Sequence, residues 1–340
     1  MCLTHSIFRR SVSRRDFLGR GLAAGLAAAT IDWGQSLLPP GVAEGAEPAP
    51  ANGGRGSSDV RLTWLGVDGW EITFANKTIL LDPWLSRTPG GLFSRPFDPQ
   101  RFLATPLTLD EALIDRHIKK ADLIVIGHGH YDHIADVPYI AKKTGATVIG
   151  TESHINMLRA YGLPEGKLVA CKGGEFMQFD GYAIEVFPSL HSLQPTMKVP
   201  IPGHFASVPP VPRTIGDMPE GNALAYVLTV GDSFSLFLMS SANFIERAIA
   251  GLDPDVALLA PLSRKQVHDY TPRLLGALGY PKIILPTHWD NWERPLTEPP
   301  QDPRAVLGDD GNLDVFVKEV KQASPESRVI VLKYFESFAP

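Results

Sequence analysis

Leu123-Ile124-Val125-Ile126-Gly127-His128-Gly129-His130-Tyr131-Asp132-His133 is the stretch on which the reading of this chain turns. Four apolar residues, three of them β-branched, stand between Asp122 and Gly127. That run is too short for a helix and reads as a strand buried on both faces. Directly after it come three histidines and an aspartate within six residues, and neutral imidazole and carboxylate are the donors that divalent ions of the zinc type take. We read the cluster as metal-ligating rather than as solvated loop histidines. A loop is expected here. His128 and His130 alternate as on an extended segment and can chelate one ion, while Asp132 and His133 can turn toward a second.

Outward from this run, the sequence alternates short strands and helices. Val60–Gly66, Trp70–Phe74 and Thr78–Leu81 are β-rich and separated by turn residues, as in an antiparallel meander. A polar, Pro-rich excursion follows from Trp84 to about Leu109, then a helical stretch to Lys120. Beyond the cluster, Val137–Lys143 and Glu152–Ala160 read as helices, and Thr147–Ile149 and Tyr182–Phe187 as strands. Leu224–Val230 and Ser233–Met239 should pair across Gly231-Asp232. Helices at Phe244–Ala250, Thr271–Gly279 and Val315–Gln322 separate strands at Val256–Leu259, Lys282–Leu285 and Val329–Leu332. Strands with helices after them in each half imply two α/β layers packed sheet to sheet. Residues 192–222, rich in proline, are either a pocket-covering loop or a disordered insertion.

The N-terminal residues read as a targeting segment. Ser13-Arg14-Arg15-Asp16-Phe17-Leu18-Gly19 precedes an apolar small-residue stretch, Gly21 to Ile31, with Ala43 and Ala46 as cleavage candidates. This resembles a twin-arginine export signal; roughly 11 apolar residues fall short of the ~20 that span a bilayer. The expected organisation is therefore a signal over 1–43, a Gly/Ala/Pro/Ser-rich linker over 44–58 and one folded domain over 59–340. The twin-arginine machinery would be a partner, and the mature protein periplasmic or secreted. Removing residues 1–43 takes away five arginines and two aspartates, which moves the formal charge from −5 to −8. So acidic a protein is not built to bind nucleic acid, whose phosphates need a Lys/Arg surface. Cys171, the one cysteine outside the signal, has no intrachain partner and reads as a small core residue.

His-x-His-x-Asp-His after a buried strand, His191 after a later strand, and His288 closing the Ile283-Ile284-Leu285-Pro286-Thr287-His288 strand together resemble the metallo-β-lactamase superfamily. The resemblance spans about residues 60 to 333. Leu80-Leu81-Asp82-Pro83-Trp84, Asp253-Pro254-Asp255 and Pro286-Thr287-His288-Trp289 narrow it to the branch containing ascorbate-phosphate lactonases and N-acyl phosphatidylethanolamine phospholipases. It implies a four-layer αβ/βα sandwich. It implies His128, His130 and His191 as ligands of one metal and Asp132, His133 and His288 as ligands of another. Asp82 would be an acceptor orienting ligand imidazoles, or else only a turn residue before Pro83. His268 is a further candidate to face substrate; His117, His154 and His204 match nothing.

Two departures stand out. The superfamily places Gly-Asp-Thr after a strand, its carboxylate bridging two metals, where this chain has Leu238-Met239-Ser240-Ser241-Ala242-Asn243. Ser240, Ser241 or Asn243 could lend a neutral oxygen, or Glu246 could reach back. The branch also has Gly-His after its first strand, where this chain has Gly66-Val67-Asp68. Losing the bridge makes single occupancy a serious alternative to two ions.

What the resemblance implies chemically is metal-assisted hydrolysis of an ester, lactone or phosphodiester in a small or lipid-like substrate. One or two zinc ions, with Mn2+ or Fe2+ as alternatives, would lower the pKa of water toward ~7, and Asp132 would both ligate and orient the nucleophile. Tyr131, Trp289 and Trp292 are expected at a pocket wall or in the core. The rival functions are a di-iron oxidoreductase on the same ligands and a non-catalytic metal binder.

Overall fold

A computed structural model describes residues 59–232 and 234–340; the signal and linker expected over 1–58 lie outside them. The strands are β1 Arg61–Gly66, β2 Gly69–Phe74, β3 Lys77–Leu81, β4 Leu123–Val125, β5 Thr147–Gly150, β6 Leu168–Ala170, β7 Phe176–Phe179, β8 Tyr182–Ser189, β9 Ala223–Val230, β10 Phe234–Met239, β11 Val256–Leu259, β12 Ile283–Pro286, β13 Arg328–Val329 and β14 Ser337–Phe338. They form two seven-stranded sheets. One runs β14-β1-β2-β3-β4-β5-β6 and the other β13-β12-β11-β10-β9-β8-β7.

Each sheet is mixed. β1, β2 and β3 pair antiparallel, as the meander predicts, and β3 to β6 are parallel. In the second sheet β8, β9 and β10 pair antiparallel, with Leu236 opposite Leu228 across the expected hairpin. From β10 to β13 the pairing is parallel. Parallel strands need crossovers, and the helices α1 Pro99–Leu103, α2 Glu111–His117, α3 Tyr131–Ile134, α4 Val137–Thr144 and α5 Glu152–Ala160 lie in the first half of the chain. The helices α6 Glu246–Ile249, α7 Tyr270–Ala277, α8 Arg304–Leu307 and α9 Leu313–Ala323 follow in the second.

Side-chain alternation explains why β4 and the second half of β3 are apolar throughout. Ile79, Leu81, Leu123 and Val125 enter the core between the sheets with Ile184, Tyr226 and Phe237. Leu80, Ile124 and Ile126 point the other way, into a second core with Ile114, Ile140, Ile155 and Leu158 of the covering helices. A strand buried on both faces has no polar side to show. Helix on sheet, sheet on sheet and sheet on helix is the expected four-layer αβ/βα sandwich.

Several expectations change. The cluster is only half a loop: Tyr131–Ile134 is a turn of helix with His130 at its N-cap. The four-residue strand expected at Val329–Leu332 shrinks to Arg328–Val329, while β6 and β7 were not expected. Cys171 is buried, and burial pushes its thiol up to about 11, so it is an unreactive core residue.

Candidate metal centre

One end of the two sheets collects the chemistry. Asp82 follows β3, His128 follows β4, His191 follows β8, Ser240 and Ser241 follow β10, and His288 follows β12. The chain turns from β4 into the cluster through two glycines that tolerate no side chain. A Cβ at Gly127 would lie 1.8 Å from Ser240 Oγ and 2.7 Å from Asp82 Oδ2; one at Gly129 would lie 2.6 Å from the Pro219 carbonyl. Gly127 N–H donates to Asp82 Oδ1 (2.7 Å), and Gly129 N–H to the Glu220 carbonyl (2.7 Å).

The structure brings the six expected ligands into two triads, His128/His130/His191 and Asp132/His133/His288, each with its donor atoms within 4.8 Å of one another. Five of the six are buried and His288 nearly so. His128 Nε2 and His191 Nε2 are 3.2 Å apart, and His133 Nε2 and His288 Nε2 are 3.1 Å apart. Two imidazole nitrogens bound tetrahedrally to one zinc at ~2.0–2.1 Å would be separated by about 3.3 Å. Asp132 Oδ2 lies 3.4 Å from His288 Nε2 and 3.7 Å from His133 Nε2.

The far nitrogens show how these rings are aimed. His191 Nδ1–H donates to the Ser192 carbonyl (2.7 Å), which leaves the Nε2 lone pair facing its neighbours. His130 is turned the other way, its Nε2–H on the Ile201 carbonyl (3.3 Å), which leaves Nδ1 as the nitrogen free to ligate. His133 Nδ1 meets Asp82 Oδ2 at 2.8 Å, and His128 Nδ1 lies 3.3 Å from Ser240 Oγ. Asp82 is therefore an orienting acceptor and not merely a turn residue. Partners of this kind fix ring orientation and raise ligand basicity. The buried donor set fits a divalent ion in each triad.

Electrostatics separates the triads. Burial pushes His130 and His133 down to about 4 and holds His128 and His191 well below the ordinary histidine value. Burial also acts downward on His288, but its bond to Asp132 and the charges of Asp132, Asp68 and Asp290 outweigh it and raise the ring above 6.5. At Asp132 burial opposes ionisation, yet the charge of His133 and the bond to His288 keep the carboxyl well below its usual range.

Protons must leave before a metal binds, so acid should affect the triads differently. His130 stays neutral down to about pH 4, and burial holds His128 and His191 well below the ordinary histidine value, so protons compete little for that triad in mild acid. His288 takes up its proton above the ordinary histidine value. Below its pKa, the second triad should lose about tenfold in affinity per pH unit. Equilibrium dialysis with zinc from pH 7.5 to 5.5 should show one equivalent persisting and any second one leaving. Parallel loss of two equivalents would contradict this ordering.

The other candidates fall outside. His268 is almost fully exposed and paired with Asp269; Glu246 bonds Arg273 and does not reach back. Asn243 donates to the His191 carbonyl, and Ser241 Oγ accepts Ser192 N–H at 2.7 Å. His154 caps α5 through Thr151, and His117 stacks on Phe335. Trp289 stacks on Trp64 in the core, whereas Trp292 and Tyr131 line the cavity over the ligands. Sequence reading did not find Asp68, a buried carboxylate bonded to Thr287 and pushed up to about 7, chiefly by burial. Its signal was the place where the branch's Gly-His is missing.

Comparison with known proteins places this geometry. Residues 77–259 match the family described as the beta-lactamase superfamily domain. The chain belongs to the metallo-β-lactamase superfamily. Among its relatives is a UPF0173 metal-dependent hydrolase of Polynucleobacter asymbioticus, 25% identical over 75% of this chain and 81% of that one. Another, from Methanopyrus kandleri, is 24% identical over 82% and 99%. A metallo hydrolase from Ignicoccus hospitalis has the same fold, with a TM-score of 0.54, 20% identity and coverage of 82% and 97%. The chain is a metal-dependent hydrolase of this superfamily.

Proposed function

We propose that this hydrolase uses zinc to split an ester, lactone or phosphodiester in a small substrate outside the cytoplasm. The observation that carries the reading is the convergence of ring nitrogens at 3.1–3.2 Å, each ring but one held from behind by an acceptor. A divalent ion held there supplies Lewis acidity, polarising the scissile carbonyl or phosphoryl oxygen and acidifying water.

The residues do the rest. Asp132, kept ionised at the floor of the cavity, orients the attacking water and accepts its proton at a carboxylate oxygen. Trp292 Nε1–H donates to Tyr131 Oη at 3.0 Å, which leaves the phenol proton to donate toward the cavity. Burial holds that phenol well above its ordinary pKa, so it remains a donor at any working pH. The loop 194–201 and the segment 92–103 wall off bulk solvent, which strengthens each of these interactions. The imidazole-rich donor set supports zinc over manganese, and iron is the rival that the same donors accept.

Panels of esters, lactones and phosphodiesters with zinc-, manganese- and iron-loaded protein test the reading. Turnover should vanish on chelation and return best with zinc. Turnover surviving exhaustive chelation, or a panel wholly untouched, would sink it.

The extracellular half of the proposal rests on Arg14-Arg15 and the apolar stretch behind them. The twin-arginine route carries folded proteins, which suits a chain that must close around its metal. Changing Arg14 and Arg15 to lysine should leave uncleaved precursor in the cytoplasm, seen by fractionation and blotting. Undiminished export of that variant would refute the assignment.

A further inference from the structure

The cavity above the ligands has a volume of about 640 Å³, within the range that encloses a ligand of some tens of atoms. Its floor is His128, His130, Asp132, His191 and His288. Its walls come from three separate parts of the chain. Phe93, Phe97, Phe102 and Leu103 belong to the first excursion and α1, Pro195 and Ile201 to the second, and Leu262 and Leu307 close it from the other half. None of these offers a polar side-chain atom; the polar side chains of the lining, Ser192, Gln194, Thr196, Ser241 and Ser263, are few and uncharged.

Charge narrows the occupant further. Among the described residues lining the cavity, Arg95 is the one guanidinium and Asp132 the one carboxylate. Arg95 already donates to the carbonyls of Ser94 (2.8 Å) and Val306 (3.2 Å). A sugar phosphate, nucleotide or polar headgroup carries more charged and hydroxyl groups than these few side chains can pair, and would leave the others facing aromatic and aliphatic carbon, at the cost of their hydration. An uncharged chain loses nothing there and gains about fourfold in affinity for every buried methylene.

We infer that the substrate is a carboxylic ester or lactone with an extended apolar acyl portion, which lies against Phe93, Phe97, Phe102 and Leu103 while its carbonyl meets the ligand floor. The inference rests on the hydrolase reading above and chooses among its substrate classes. Phe97 and Leu103 stay partly exposed at the cavity mouth, where a growing chain would finally reach solvent. The gain per methylene should therefore be steep and then level off.

The experiment is a series of p-nitrophenyl esters from acetate to dodecanoate on the zinc-loaded protein, with bis-p-nitrophenyl phosphate alongside. kcat/KM should rise about fourfold per methylene before the plateau, and the diester should trail the octanoate ester at least a hundredfold. Phe97→Glu should cut the octanoate-to-acetate ratio at least tenfold, with metal content and melting temperature as checks on folding. A flat or falling series, or preference for the diester, would overturn the inference. Binding gives a second readout that needs no turnover: acetohydroxamate against octanohydroxamate, followed by the fluorescence of Trp292. Tighter octanohydroxamate binding with no ester cleaved would uphold the apolar subsite and reject the ester reading. Equal binding of the two would reject the subsite itself.

Discussion

His130→Ala should strip the protein of its tightly held metal and lower hydrolysis at least about a thousandfold, whereas His133→Ala should lose at most one equivalent. The difference follows from what stands behind each ring. His130 belongs to the triad of three imidazoles that burial holds below the ordinary histidine value, and removing one of three ligands opens the site to water. Several kcal/mol of transition-state stabilisation go with the ion, and each 1.36 kcal/mol is tenfold in rate. His133 belongs to the triad that shares its space with the raised His288. Its removal has another consequence, because Asp82 is fully buried and bonded to His133 Nδ1. Leaving one partner of a buried hydrogen bond unsatisfied costs about 1–3 kcal/mol, or roughly 2 °C or more of melting temperature in a domain of this size. His130 has no side-chain acceptor behind it: beyond the neighbouring rings of His128 and His191 it meets backbone carbonyl of the second excursion, next to open cavity. The two variants should thus rank in opposite orders, His130→Ala worse in metal content and His133→Ala worse in thermal stability. Metal analysis and a melting curve on the same preparations check it. The same ranking in both measurements would break the link drawn between ring partners and site strength.

The legibility of these features in the sequence was uneven, for physical reasons. The strand Leu123–Val125 was readable because burial on both faces removes polar residues from it, and the ligands were readable because imidazole and carboxylate chemistry is rare at such density. His191 and His288 were readable as strand-end histidines, since a strand delivers its next residue to a fixed edge. The aim of each ring was not readable. The groups that turn His130 and His191 are the carbonyls of Ile201 and Ser192, and every residue has a carbonyl. Asp82 carried a signal in its strand-end position, but only the fold sets it 2.8 Å from a residue 51 places away.

The wrong expectations also share a cause. His268 and Glu246 were candidates by position in the chain, and both point to solvent, where Asp269 and Arg273 pair with them. Position along a strand fixes where a side chain goes; position just before or within a surface helix does not. The excursion 192–222 lacked periodicity, and two readings of it stayed open. It covers the cavity: its proline-rich start gives Pro195, Thr196 and Pro200 to the lining, and its end docks through Glu220 on Gly129 N–H. Such a loop is held by backbone bonds to the cluster and by scattered apolar anchors, Ile215 and Met218, that enter the second core without a period, so no pattern marks it in advance.

Ser241→Asp should tighten the second metal at least about tenfold, and the structure distinguishes it from the neighbouring Ala242→Asp. Ser241 follows β10, lines the cavity with His128, His191 and His288, and has its Oγ within 2.7 Å of Ser192 N–H. A carboxylate there would keep that donor and present its other oxygen to the cavity. Ala242 touches the cavity too, but it packs into the core between the sheets with Phe244 and Met239, and a carboxylate on it would be buried among hydrocarbon without a partner. The expected gain is electrostatic. Two divalent ions held about 3.5–4 Å apart repel strongly in a medium of low dielectric. The native site offers Asp132 as its one carboxylate within the two triads, because burial favours the protonated forms of Asp82 and Asp68. One more negative charge between the ions offsets part of that repulsion, and calorimetric zinc titrations of the native protein and both variants would measure it. Ser241→Asp should bind a second equivalent tightly, and Ala242→Asp should melt earlier without gaining one. Two tight equivalents in the native protein, unchanged by Ser241→Asp, would mean that a carboxylate already stands between the ions, and Asp68 would be the residue to replace next.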